Sequence, residues 1–501
     1  MKRKLLLPLL ILTLSSCSFS FDLNDIIIKQ PNNELTYEFI PTANNSKIYD
    51  GYYQPNELRY NFQTLNSQLG WVTSLSVDTQ KLLVVPVKLK NEPSWTSSMI
   101  EDMNDVFFGN SSQVNYYSVK DYFYQSSYGK LNIEGEVLST PFNSSYTVNS
   151  LKNENDAAEV IANEYQKVLS ENPNLCKKYD LNEDGFIDNI IFIYSSNYDI
   201  YDTSVLWAWC SYTSLTPDKD IPQINNYMWA SYHFSQDMYD DNFNYDKLDT
   251  HTYIHEVGHL LGLDDYYSYD DEPWDCAGYS EMQSYNVGDH NAYSKMALGW
   301  INPYVVTSSC SITLKTSALY PQAILINDKW NGSAFDEYIL IEYYTPKGVN
   351  LLDSQHAFEK SKMYNYSGLR IYHIDARLVK MNYTSYDYHF ESYSDYINNE
   401  ARAFYYVGAS NSVTYSFLDS PENKTNKYVH LLDEGENNRL NYGNGGTLYS
   451  NSVLWTGEKT FTPSSKFFKK NNTFNDGSKI GYEISVSDFT DESCKVTITK
   501  N

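Results

Sequence analysis

Positive charge is scarce in this sequence: 37 lysines and arginines face 63 aspartates and glutamates, a net charge of −26. A protein that grips nucleic acid needs a basic face to displace counterions, so no nucleic-acid partner is expected. Cysteine is scarcer still. Six in 501 residues, none spaced as CxxC, exclude a cysteine zinc ribbon and a dense disulfide framework. After Cys17 the other five, Cys176, Cys210, Cys276, Cys310 and Cys494, are scattered and odd in number. One or two disulfides are compatible with that count, and Cys276 reads as a small buried residue rather than a ligand. No run of 18 apolar residues occurs beyond the N-terminal leader, so the body of the chain should not span a membrane. What is abundant is tyrosine. With 48 of them the chain has too many aromatic groups to bury for general disorder.

The leader "MKRKLLLPLLILTLSSC" places three basic residues before an apolar run from Leu5 to Leu14, the pattern of a secretory signal and too short to span a bilayer stably. Leu14, Ser15, Ser16 and Cys17 resemble a bacterial lipobox, in which the cysteine is lipidated and becomes the mature N-terminus. The expectation is a lipoprotein signal peptide over 1–16 and a protein anchored through Cys17 on the outer face of a membrane. The alternative is an ordinary signal peptide and a secreted protein.

Residues 17–78 are polar with little periodicity and read as a tether and N-terminal segment. From Lys81, "KLLVVPVKLK" reads as a buried strand, and "NIIFIY" from Asn189 as a central one. "TSSMIEDMNDVFFG" and "SVKDYFYQSSYG" open on Thr or Ser and close on Gly, as helices do. In "DAAEVIANEYQKVL" the helical face is marked by Ala157, Ile161, Tyr165 and Val168. These alternating signals predict an α/β or α+β domain over 79–303. After Pro303, seven short β-rich runs from "SITLKT" to "KVTITK" predict an all-β, sandwich-like domain over 304–501.

The chemistry is concentrated in "HTYIHEVGHLLGLDDYY", which begins at His251. On a helix His255 and His259 share a face and can direct imidazole nitrogens at one ion. Glu256 stands beside that face, where a general base belongs if it is to take a proton without becoming a ligand. Asp249 or Thr250 would cap the helix, and Gly262 would reverse the chain and return Asp265 as third ligand. His251 has no turn to bring it in and reads as a surface or capping histidine. A second constellation is "YDLNEDGFIDNIIFIY". Asp180, Asn182, Asp184, the Phe186 carbonyl and Asp188 fall at EF-hand loop positions around Gly185, so a calcium-stapled turn is expected. Ile191 stands where an EF-hand carries its last glutamate, and a strand follows, so a helix-loop-helix sensor is not expected. The other reading of this stretch is an Asx-rich turn without metal.

Over most of residues 80–380 the chain resembles the immune inhibitor A family of secreted bacterial zinc metallopeptidases, which are related to the metzincins. The resemblance is carried by "FFG" at 107–109, "SVKDYFYQSSYGKLNIEGEV", "DLNEDGFID", "HEVGHLLGLDDYY", "NVGDHNAYSKMALGW" and "GLRIYHID". It implies a metzincin-like peptidase domain, zinc held by His255, His259 and Asp265, and Glu256 as general base and acid in the hydrolysis of extracellular proteins or peptides. It also implies a Met-turn beneath the zinc, for which Met282 is preferred to Met296, a residue inside an apparent helix. Family members often carry a processed propeptide, but residues 18–78 hold neither a cysteine to mask zinc nor a dibasic processing site, so the presence of a latent form stays open. Two rival readings remain: a thermolysin-like site with Glu281 as third ligand, and a surface-anchored binding lipoprotein whose zinc is structural or lost. Tyr266, Tyr267, Tyr285 and His290 are equivalent candidates for stabilising the oxyanion.

Overall fold

The computed structural model describes residues 46–62, 74–270, 274–278, 280–381 and 453–501, with short pieces at 388–390, 405–412, 416, 426–435 and 440–441. The leader and Cys17 lie outside the described residues. Within residues 17–78, read as a tether and N-terminal segment, the described part contributes a hairpin, β1 (Ser46–Tyr49) and β2 (Tyr52–Pro55), turning at Gly51 with φ +82°. Tyr53 of β2 lies opposite Val305, so this early segment belongs to a sheet built mainly from the C-terminal half. Periodicity misses it because each strand has four residues and its partner is far along the chain.

Five strands follow: β3 (Asp78–Lys88), β4 (Leu131–Val137), β5 (Ile190–Tyr194), β6 (Trp209–Tyr212) and β7 (Asn226–Ser231). They lie in the order β4-β3-β5-β7-β6, parallel throughout except for the edge strand β6, which runs antiparallel to β7. β3 is apolar along most of its length because both of its faces are covered. Leu82 and Val84 enter one core, while Leu83, Val85 and Val87 enter another on the opposite face. Helices α1 (Ser97–Phe108) and α2 (Val119–Ser126) pack into the first core, and α3 (Ala157–Ser170) into the second. The Thr96, Ser118 and Asp156 side chains cap their N-termini, each accepting a backbone N–H. One detail of α3 is corrected. Val168 is 39% exposed, and the inward position four residues after Tyr165 is filled by Leu169.

Three helices then cross the first core: α4 (His251–Leu260), α5 (Met282–Tyr285) and α6 (Ala292–Ala297). Beyond them come β8 (Tyr304–Val306), β9 (Cys310–Lys315), β10 (Ile324–Ile326), β11 (Glu337–Tyr344), β12 (Gly368–Asp375) and β13 (Val429–Leu431). The second sheet has the order β1-β2-β8-β10-β11-β12-β13, and β9 pairs instead with β15 (Ser493–Lys500), itself paired with β14 (Tyr482–Ser487). Each of the seven β-rich runs forms a strand, the one at "AFYYVGA" covering Tyr405–Val407. Ile339, Ile341 and Ile371 face the three-stranded sheet through Ile484 and Val496, whereas Leu340, Tyr372 and Ile374 face the core beneath α4. The second sheet is thus buried on both sides, and one core runs from β3 through α4 to β12. The fold is mixed α/β, with several sheets and few helices. Cys176, Cys210, Cys276, Cys310 and Cys494 are all thiols, and Cys276 is buried. Among the described residues no helix is long and apolar enough to cross a membrane.

Candidate metal centre

Thr250 occupies the N-cap position of α4 without a side-chain cap bond, and Asp249 Oδ1 accepts the His251 N–H at 2.9 Å. At the other end the chain reverses through Gly262, whose φ of +106° suits a residue without a Cβ. That reversal sets the Leu263 carbonyl against the ring of His259, which donates its Nδ1–H at 2.7 Å. His255 donates its own Nδ1–H to the Met282 carbonyl at 2.8 Å. With both Nδ1 atoms engaged outward, both Nε2 atoms face inward, the arrangement that orients imidazoles at metal sites.

The two Nε2 atoms stand 3.1 Å apart, and Asp265 Oδ1 lies 2.9 Å from that of His255 and 3.2 Å from that of His259. Donors each about 2.0–2.1 Å from one zinc ion are separated by roughly 3 Å, so the triangle fits that ion. Among the described residues this trio alone brings three His, Cys, Asp or Glu ligand atoms within 4.8 Å of one another. Burial works against charge here, yet Asp265 pushes His259 up to about 9, and the imidazoles hold Asp265 well below the usual carboxylate range. The trio therefore favours positive charge at its centre, which a proton or a bound metal cation can supply.

Glu256 follows His255 and is only 5% exposed, yet its Oε2 has no hydrogen-bond partner among the described residues. Its charge acts on His259, so the carboxylate lies close to the trio. The backbone carbonyl of Glu256 accepts the Cys210 thiol at 3.0 Å, which sets the edge strand β6 against the site helix. Burial first, and then Glu256, pushes that thiol well above its ordinary value.

Glu281 lies outside the trio and turns to Asn291, whose backbone N–H it accepts at 3.2 Å. Met282 is fully buried in the first core and meets the site through the carbonyl that holds His255; Met296 lies within α6. Of the four oxyanion candidates, two are packing groups. Tyr266 is buried with its hydroxyl on Ser294 Oγ at 2.8 Å, and His290 is buried between Tyr122 and Gln283. Tyr267 and Tyr285 remain partly exposed, with ring centroids 5.7 Å apart. His251 is neither superficial nor a side-chain cap. It is fully buried, its Nδ1 3.0 Å from Asp249 and its Nε2 3.3 Å from Asp353, a carboxylate from the second half of the chain that local spacing cannot reveal.

Sequence reading also missed Tyr269, whose hydroxyl donates to Asp265 Oδ2, and Gln283, which packs against the helix at Gly258. Nothing distinguishes Tyr269 from its neighbours in "DDYYSY". Gly258 was a usable signal, because a glycine inside a helix costs about 1 kcal/mol relative to alanine and so implies a close neighbour.

In the acidic loop Asp180 accepts the N–H groups of Asp184 and Gly185, Asp184 accepts that of Phe186, and Asp188 accepts that of Leu181. Asn182 Nδ2 donates to Asp184 Oδ2 at 2.9 Å, and Gly185 turns the chain at φ +91°. Burial, with Asp184 and Asp180 adding to it against the Leu181 N–H, pushes Asp188 up to about 7. The three carboxylates do not come within the 4.8 Å of one another that marks the histidine site. The strand expected after the loop is β5. Set against protein-family models and against curated proteins, the chain finds no match.

Proposed function

We propose that this protein is a zinc-dependent endopeptidase of metzincin-like type, hydrolysing extracellular proteins or peptides at His255, His259 and Asp265. The observation that carries this reading is the unpartnered, buried Oε2 of Glu256 beside three convergent donors. A buried carboxylate oxygen without a donor is costly, and a purely structural metal site has no use for one. Zinc held by the trio supplies a water acidified towards pH 7 and polarisation of the scissile carbonyl. Glu256 takes the proton on its buried Oε2 and hands it to the leaving amine. The outward bonds from His255 to Met282 and from His259 to Leu263 keep both rings oriented meanwhile.

The test is Glu256→Gln. The variant should retain one zinc per chain by elemental analysis and lose casein hydrolysis; retained hydrolysis would sink the mechanism. A surface-anchored binding lipoprotein with a structural zinc leaves Glu256 unexplained. A thermolysin-like role for Glu281 is disfavoured because its carboxylate lies outside the convergent trio, although its Oε2 is also buried without a partner among the described residues. The same proposal gives the loop at Asp180, Asn182, Asp184, Phe186 and Asp188 a stabilising calcium ion, since a cation offsets the burial and the repulsion from Asp184 and Asp180 that push Asp188 up. It assigns Cys17 the lipid that holds the enzyme at the outer face of a bacterial membrane.

A further inference from the structure

Gln283 is fully buried, and its contacts connect parts of the metal centre that are separate in sequence. Its Nε2 donates to the His255 carbonyl at 3.2 Å. That carbonyl belongs to the helical turn joining His255 to His259, because a helix carbonyl pairs with the N–H four residues on. Its Oε1 lies 3.2 Å from His290 Nε2, and His290 Nδ1 lies 3.1 Å from the Tyr122 hydroxyl. The His255 carbonyl can only accept, so the carboxamide nitrogen faces the helix and its oxygen faces a proton on His290 Nε2, while the Tyr122 hydroxyl lies between His290 Nδ1 and the Gly288 carbonyl, to which it donates at 3.0 Å. Its backbone carbonyl accepts the Tyr266 N–H at 2.8 Å, directly after the third donor Asp265. The preceding residue, Met282, holds the ring of His255. Gly258 completes the arrangement: a Cβ there would fall on the Gln283 carboxamide, 2.7 Å from its Cδ. The helix gives up a better helix former between its two donors, and Gln283 occupies the space.

We infer that Gln283 is the positioning residue of the metal centre, setting the turn that carries His255 and His259 in register with the loop that carries Asp265. The inference rests on the zinc reading of that trio. Outer partners of metal ligands typically contribute about 10–100-fold to metal affinity.

The test compares full-length wild type, Gln283→Ala and the double variant Gly258→Ala/Gln283→Ala, using zinc competition with a chromogenic chelator, thermal denaturation and casein kinetics at saturating zinc. Gln283→Ala should bind zinc about 10–100-fold more weakly, with kcat lowered and KM unchanged, because Gln283 is buried and touches no substrate. The double variant refills the space under the helix without restoring a hydrogen bond. It should recover Tm but not zinc affinity. Recovery of zinc affinity in the double variant would show that Gln283 is only filler, and a Gln283→Ala affinity within twofold of wild type would overturn the inference outright. Either failure, with wild type binding zinc normally, leaves the trio intact. Failure of wild type itself to bind zinc removes the trio and this inference together.

Discussion

One turn of α4 separates His251 from His255, and the two rings live in opposite surroundings. His251 is stacked between Tyr116 and Phe358, at centroid distances of 4.4 and 4.2 Å, with an aspartate at each ring nitrogen. Burial pulls its pKa down, but Asp249 and Asp353 outweigh that and push it up to about 10. It is a cation with both nitrogens engaged and no lone pair to offer. His255 and His259 each spend one nitrogen on a neutral carbonyl and turn the other towards Asp265. The difference is that carboxylates reach both nitrogens of His251, and local sequence does not reveal the second of them, Asp353. Histidines at equal helical spacing on one helix can therefore be placed as a buried ion-pair partner and as convergent donors able to hold a metal.

The largest expected effect breaks the His251 side of this comparison. His251→Leu leaves Asp249 and Asp353 buried without their shared partner, a change that costs about 3–5 kcal/mol for a buried ion pair. Denaturant melts should show that loss while elemental analysis still finds one zinc per folded chain. Loss of zinc with stability intact would place His251 among the ligands and erase the distinction.

The same network has a pH signature. A histidine at about 6.5 when unfolded and about 10 when folded adds stability that is fully present below pH 6.5 and disappears as pH rises through 10. The stability gap between wild type and His251→Leu should therefore narrow between pH 7 and pH 10.5. A constant gap would mean that the ring contributes through packing against Tyr116 and Phe358 rather than through charge.

On the ligand side, Asp265→Ala should weaken zinc at least as much as the loss of an outer partner does, about 10–100-fold, measured against a chromogenic chelator. Glu281→Gln should change it little, because the Glu281 carboxylate turns to Asn291 rather than to the trio. The reverse ranking would restore the thermolysin-like arrangement and leave the two histidines in place.

What could be read in advance follows the range of the interactions. The pair at His255 and His259, the carboxylate of Glu256 beside them and the reversal at Gly262 are local, set by helical periodicity and glycine's tolerance of positive φ. The strands of the second half were legible for the same reason, each announced by its own composition. His251 was misread because the group that decides it, Asp353, arrives from the connection after β11. The β1–β2 hairpin was missed because its pairing with β8 closes across the whole first half of the chain. Gln283 lies between these cases: its partner is distant, but the glycine that accommodates it stands inside the motif.

The acidic loop offers the smallest effect and a second contrast with the histidine site. Its carboxylates already accept N–H groups of the loop itself, so the turn can hold its shape through these bonds alone. An ion that binds only the folded form stabilises it by RT ln(1 + [L]/Kd), about 1.4 kcal/mol at tenfold excess over Kd. Withdrawing calcium with EGTA at constant free zinc should therefore lower the Tm of wild type modestly, and Asp184→Ala should abolish that sensitivity while leaving the zinc content unchanged. Isothermal titration with calcium would separate direct binding from general screening, since magnesium, smaller and reluctant to shed water, should not substitute in a calcium-sized loop. Identical melting curves with calcium and with EGTA would reduce the loop to an Asx-rich turn, and the His255, His259 and Asp265 trio would then be the one metal centre proposed among the described residues.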